Sequence, residues 1–536
     1  MHDTQIAVSD RSGRPYADDA GGSARRILCV FPRYEPSLGS FEYAYDITGS
    51  LRAFMPPQGL LVIAASLPSG WQVRFIDENI APAKPDDFAW SDAVFVSGMH
   101  VQRDRMIDIC RRAHAAGKPA VLGGPSVSAS PELYPDFDYI HIGEIGDATA
   151  ELFAMLVRDC ARPHCQIRLE TRERLPLDRF PIPAYELVSF EYYFIGSIQF
   201  SSGCPFTCEF CDIPGLYGRV PRMKRPEQII AELDKLRACG LSTSVYFVDD
   251  NFIANRRAVR DLIPHLIAWQ ERHSFPLSFA FEATLNIANY KDLLANLRDA
   301  GFTGIFCGIE TPEPEALRRM SKEQNMTMPI LEAVDRLNRY GMEVVAGMIV
   351  GLDTDSPDTE ARITTFIEQS NIPMLTVNLL QALPRTPLWD RLKRDGRLTD
   401  DHDRESNVVF KMPYDQTIAI WRACLEHAYD PARLFRRYDY QIRRTYQHRR
   451  KRPPRPGQLT IKNLKRGLTM LFNVFWKLGV LADYRRAFWC YALPRLREGR
   501  IEEIIATGII AKHLITFARK ACAGELNASH YSSKVR

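Results

Sequence analysis

At 536 residues the chain exceeds one ordinary hydrophobic core and predicts about three domains. An apolar share of 46% beside a charged share of 25% excludes a disordered chain, and no run of about 18 uncharged apolar residues is present to cross a membrane. The net charge of +4 conceals an asymmetry, because residues 431–536 carry 24 Lys+Arg against 6 Asp+Glu while the rest is net acidic.

Residues 1–25 read as a flexible leader, polar and without the apolar stretch of a secretory signal. From residue 26 short β-rich apolar runs alternate with helical stretches. The strand candidates are Ile27–Phe31, Val73–Ile76, Ala93–Ser97, Ala120–Leu122 and Tyr139–Ile142. This alternation predicts an α/β unit over residues 26–160, a Rossmann-like parallel sheet with helices on both faces. Ligands of such sheets sit beyond the carboxyl ends of the strands. Those ends carry Asp77, His100, Gly123, Gly124, Gly143 and Glu144, and the glycines allow backbone to approach a ligand closely. Residues 161–192, with Pro176, Pro181 and Pro183 among charges, read as a linker.

A second βα series occupies residues 193–395. Its strands are expected at Ser197–Phe200, Ser244–Val248, Ser278–Phe281, Gly304–Ile309, Val344–Ile349 and Leu375–Leu380. Six βα units suit a partial (βα)6 barrel, open at one side, with active residues on the loops after the strands. Residues 396–536 read as a basic, mainly helical region. It holds the run Arg449, Arg450, Lys451, Arg452 and the apolar stretches Leu468–Leu481 and Ile501–Phe517.

The twelve cysteines are scattered except for one trio, Cys204, Cys208 and Cys211, directly after the first barrel strand. Thiolates are the usual ligands of iron–sulfur clusters, and the C-x₃-C-x₂-C spacing can grip three irons of a four-iron cluster while leaving the fourth open. Zinc usually takes four ligands, often from paired C-x₂-C spacings, and no second pair lies nearby. The trio resembles the C-x₃-C-x-Φ-C signature of radical S-adenosylmethionine (SAM) enzymes, with Phe210 as the aromatic Φ. That resemblance implies a [4Fe-4S] cluster whose open iron chelates SAM, and an electron that splits the sulfonium to give a 5′-deoxyadenosyl radical. It places Phe210 near the adenine. It offers Asp249, Asp250, Glu282 and Glu310 at strand ends, and Gly347 and Gly351 of a G-x-I-x-G-like segment, as further SAM contacts. For each acid the competing role is a rim salt bridge or a helix cap.

The amino-terminal sheet ahead of such a barrel resembles the cobalamin-binding domain of class B radical SAM methylases, with Gly123, Gly124 and Gly143 on its ligand loops. The D-x-H-x-x-G motif of many corrinoid proteins is absent; His100, at a strand end, is a candidate for an axial ligand, with a satisfied structural role as the competing reading. Across nearly the full length the order of parts resembles the hopanoid C-2 methylases of bacteria. That resemblance implies methylation of an unactivated carbon, C-2 of a hopanoid A ring, with a reductant protein for the cluster. It also implies a cytoplasmic enzyme working at the inner membrane, which the basic tail could contact peripherally. Other substrates remain open: C-3 of a hopanoid, a tetrapyrrole or a natural product. So does a cobalamin-assisted cyclase. A corrinoid or redox sensor with a nucleic-acid-binding tail is the non-catalytic alternative; against it stands the complete cluster loop, which a sensor does not require, and no recognition fold accompanies the basic run.

Overall fold

The computed structural model describes residues 24–401, 403–451 and 461–525. Most of the expected leader, and Arg452 of the basic run, lie outside these residues. Six strands form the first sheet: Arg26–Phe31 (β1), Gln72–Asp77 (β2), Ala93–Ser97 (β3), Ala120–Gly123 (β4), Tyr139–Ile142 (β5) and Ile167–Glu170 (β6). Their order is β2-β1-β3-β4-β5-β6 and every pair is parallel. Central strands of such sheets are covered on both faces, so Ile27 to Phe31 are all buried without alternation. The stretch expected as a linker supplies β6. Only Leu169 of that strand is buried, which suits a sheet edge and explains why its sequence lacks an apolar run. The strand order reverses between β1 and β3, and a crevice opens beyond their carboxyl ends.

The second sheet comprises Gly196–Ile198 (β7), Ser244–Phe247 (β10), Ser278–Glu282 (β11), Phe302–Glu310 (β12), Glu343–Val350 (β13) and Met374–Leu379 (β14). A short antiparallel ribbon, Ser201–Ser202 (β8) with Arg222–Met223 (β9), brackets the cysteine loop. The parallel order β14-β13-β12-β11-β10-β7 is an arc with β7 and β14 at its edges, the expected partial barrel. The two-residue period of a strand sorts its side chains. Val245, Phe247, Phe279 and Phe281 pack into the core, while Tyr246, Ala280, Glu282 and Thr376 face a cavity on the concave side.

The two sheets meet through residues 52–58. Phe194 N–H donates to Ala53 O (3.0 Å), Gln58 Nε2 to Tyr185 Oη (2.6 Å), and Ser197 Oγ to Pro56 O (2.8 Å). The carboxyl-terminal region is helical as expected, with helices Tyr414–Ala428, Pro431–Tyr440, Ile461–Val474, Arg485–Arg497 and Ile501–Cys522. A π-helical segment, Phe475–Leu481, continues the third of these. The region returns to the start of the chain. The His513 ring stacks on Phe41 (5.1 Å) and its Nε2 donates to Ser37 O (3.0 Å), while Asn473 Nδ2 donates to Ile47 O (2.9 Å). Asp46 pairs with both Lys477 and Lys512. No helix among the described residues is long and apolar enough to cross a membrane.

Candidate cofactor and substrate site

The loop carrying Cys204, Cys208 and Cys211 follows β8 at the carboxyl end of the barrel. It has almost no regular structure, so its backbone donors need acceptors from elsewhere. Asp249 and Asp250, just beyond β10, supply them. Asp249 accepts from Phe200 N–H (3.2 Å) and Ser201 N–H; Asp250 accepts from Gly203 N–H (2.7 Å). Gly203 has a φ of 93°, which permits the turn into Cys204. Both Asp249 oxygens are engaged by backbone, so this acid is the loop's anchor rather than a ligand-facing group. Asp250 also lines the crevice between the sheets. Burial pushes Asp249 up to about 7 and Asp250 up to about 6.

The far side of the loop is held by residues 320–325. Glu209 N–H donates to Met320 O (2.9 Å), and Gln324 Nε2 donates to Cys208 Sγ (3.3 Å). Glu310 sits at φ 68°, beside an irregularity in β12 pairing, a conformation that costs a residue with a side chain about 1–3 kcal/mol. From there its carboxylate pairs with Lys322, and the Lys322 ammonium lies 5.3 Å from the centre of the Phe210 ring. Burial opposes the charge on Lys322, but Glu310 and the neighbouring thiols outweigh it and raise its pKa. Asn251 Nδ2 lies 4.0 Å from Cys204 Sγ, and its buried Oδ1 has no hydrogen-bond partner among the described residues. Lys322, Gln324 and Asn251 were not singled out individually from sequence. Asn251 adjoins the two acids; the other two come from a distant loop with no motif.

Burial pushes the Cys211 thiol up to about 12 and raises that of Cys204, so ligation at either must release a proton. Three cysteine thiols on one loop form a soft donor set of the kind that iron–sulfur clusters take. The sulfur-only donor set and the orphaned Asn251 acceptor, suited to an amino group, fit a cluster with SAM beside it.

Two large cavities adjoin. One, of about 390 Å³, lies in the crevice beyond the first sheet and reaches Asp250. Gly123, Gly124 and Gly143 line it. A Cβ added at Gly123 would meet only the His141 side chain at 3.8 Å, and one at Gly59, also on the wall, would stand in open space. This glycine-lined wall fits a large planar ligand. Gly124 and Gly143 have φ of 98° and 96°, so local conformation also requires them. His100 is not on this wall; its Nδ1 is hydrogen-bonded with Ser126 Oγ (2.9 Å). His141 is on the wall, but its Nε2 is engaged with Thr149 Oγ1 (2.9 Å).

The second cavity, of about 540 Å³, lies within the barrel arc and under residues 33–55, with a mainly apolar lining. Its volume is typical of small-molecule sites, about 300–1,000 Å³. Tyr34 and Met55 line both cavities. Glu282 faces the second one, and burial pushes it up to about 7 despite the hydrogen bond donated by Tyr246 Oη (3.1 Å). Phe210 lines a third, smaller cavity of about 270 Å³ with Leu352 and Leu388. Gly347 packs against Gly308 of β12. Gly351 lies under the Phe410 ring at φ 96°, with its N–H donated to Asp355 (2.6 Å). Neither glycine lines the two large cavities.

A B12 binding domain matches residues 46–153, the Radical SAM superfamily matches 198–367, and a domain of unknown function (DUF4070) matches 386–527. Fold and site thus define a cobalamin-dependent radical SAM methyltransferase, with a [4Fe-4S] cluster, SAM and cobalamin as cofactors. The chain is 57% identical over 518 residues to the hopanoid C-2 methylase of Rhodopseudomonas palustris, covering 97% of this chain and 98% of that one. It belongs to the family of that methylase. It is also 36% identical over 477 residues to an uncharacterized methyltransferase of Synechocystis sp., covering 88% of each chain. The solved structure of the cobalamin-dependent SAM radical enzyme OxsB, with aqua-cobalamin and SAM bound, shares the fold. Its TM-score is 0.60 at 13% identity, over 94% of this chain and 81% of that one.

Two outcomes follow from the buried charges. Lys322→Met leaves Glu310 buried without its cation and is expected to destabilise the protein by about 3–5 kcal/mol, with Glu310→Gln added in the same chain restoring much of the loss in denaturant unfolding. Glu282 titrates near 4.5 when unfolded and near 7 when folded, so the unfolded chain loses its proton first as pH rises. That contribution to stability is therefore complete below 4.5, declines through the window and is lost above 7. Thermal unfolding of Glu282→Gln should show a smaller decline across that window than the parent.

Proposed function

We propose that the protein methylates C-2 of a hopanoid A ring. The observation that carries this reading is the mainly apolar 540 Å³ cavity that shares Tyr34 and Met55 with the crevice of the B12-binding sheet. The 57% identity to a hopanoid C-2 methylase supports the substrate.

In this reading Cys204, Cys208 and Cys211 hold three irons of the cluster. Asn251 and Asp250 face the amino end of SAM, and Phe210 its adenine. Gly123, Gly124 and Gly143 let the backbone approach cobalamin. When bound, these groups supply removal of a hydrogen atom from an unactivated carbon and delivery of a methyl group to it. The chain orients and shields them. The mainly apolar walls of the larger cavity favour a polycyclic hydrocarbon and exclude water. Tyr34 and Met55, which line both cavities, would stand between substrate and corrinoid. Burial raises the Glu282 pKa to about 7, so this acid carries less charge beside an apolar guest than an exposed glutamate would. A reductant protein supplies electrons to the cluster. A membrane lipid as substrate and a basic carboxyl-terminal region support a cytoplasmic enzyme bound peripherally at the inner membrane.

The test is anaerobic turnover of the full chain, reconstituted with iron, sulfide and cobalamin and given a reductant, SAM and a C-2-unmethylated hopanoid. The 2-methyl product, 5′-deoxyadenosine and S-adenosylhomocysteine are expected together. Methylation at C-3 overturns the position, and 5′-deoxyadenosine with no added methyl group favours a cyclase or rearrangement. Replacing all three cysteines by alanine should abolish bound iron and 5′-deoxyadenosine while cobalamin, read by its absorbance, is retained. Gly123→Val should do the reverse, lowering cobalamin retention about tenfold or more through a side chain placed in its crevice, with iron content unchanged.

A further inference from the structure

We infer that the outer face of the helix Ile461–Val474 and its π-helical continuation Phe475–Leu481 is a docking surface for an anionic lipid bilayer. It would set the wall of the barrel cavity against the membrane. The inference rests on the reading of that cavity as a lipid site.

Large exposed apolar side chains are sparse over most of the described surface and crowd onto this face. Leu464, Leu468, Phe472, Trp476 and Val480 recur every four residues, with Leu481 at the end. Phe472 is 64% exposed and Trp476 48%, and their rings lie parallel with centroids 6.3 Å apart. An i, i+4 row drifts slowly around an α-helix. The wider turn of the π segment rotates such a row the other way, and the Phe472 and Trp476 rings stay stacked where the two helix types join. An exposed apolar row of this kind marks an interaction site.

Charge identifies the occupant. Lys465 and Arg466 are exposed at one end of the row, and Arg485 and Arg486 at the other. The whole of residues 431–536 is strongly basic. An apolar face with aromatic rings, flanked by cations, suits the boundary between headgroups and acyl chains of an anionic leaflet. A flank of the same helix is fixed to the segment beside the cavity. Asn473 donates to Ile47 O, and Lys477 pairs with Asp46. Phe41, Glu42 and Tyr45 of that segment line the 540 Å³ cavity. A single short segment thus separates the exposed row from the site proposed to take the lipid.

The test is flotation of the full chain with vesicles of phosphatidylcholine alone or with phosphatidylglycerol, without substrate or turnover. Strong recovery with phosphatidylglycerol vesicles is expected, weakened by salt and by omission of the anionic lipid. Phe472→Ser with Trp476→Ser should lower recovery about tenfold or more, as should Leu464→Gln with Leu468→Gln, since each pair removes two buried anchors. Both variants should methylate detergent-dispersed hopanoid at the parent rate. The proposal falls if the parent chain stays unbound, or if both variants float like the parent. It also falls if sedimentation shows that the row instead pairs two copies of the chain. Normal flotation with no methylated hopanoid would sink the substrate reading and leave the docking surface standing.

Discussion

The site depends on carboxylates that hold an irregular loop in shape. The cysteine loop runs from Gly203 to Cys211 with almost no regular structure, and backbone donors at and before its start need fixed acceptors. Asp249 and Asp250 provide them from the end of β10, and Asp249 does so in a buried environment that raises its pKa. The neighbouring sheet strand therefore fixes the position of the three sulfurs. The first sheet adds a second hold. Glu144, at the end of β5, accepts from Ser202 Oγ (3.1 Å) and pairs with Arg222 (2.6 Å) on the ribbon around the loop. Through this one side chain the crevice beyond the B12-binding sheet and the sulfur loop share a common frame.

A different chain of contacts holds the loop's far side. Strain at Glu310 directs its carboxylate to Lys322, and Lys322 lies over Phe210. The aromatic residue of the signature is thus positioned by an ion pair that the signature does not contain. An uncompensated charge at this depth is costly, so the acid and the lysine act as a unit.

Much of this was legible in the sequence because buried parallel strands leave continuous apolar runs. Ala93–Ser97 and Tyr139–Ile142 were read to the residue, and the six barrel strands to within a few residues. β6 escaped because an edge strand that buries only Leu169 has no such run. The cysteine trio was legible because its spacing is itself the chemistry. The acids could not be sorted from the sequence, which gives a side chain's type but not the atoms it faces. Asp249 turned out to be engaged by backbone on both oxygens, and Glu282 to face the larger cavity. Gly351 serves a turn beneath Phe410. Lys322 and Gln324 join the loop only through folding, more than a hundred residues along the chain from Cys208.

The segment 37–48, one wall of the barrel cavity, is braced by His513, Lys512, Lys477 and Asn473. Those braces all follow both sheets in chain order. On the ribosome, the compartment therefore stays open on that side after both sheets can form, until the helix Ile501–Cys522 has emerged.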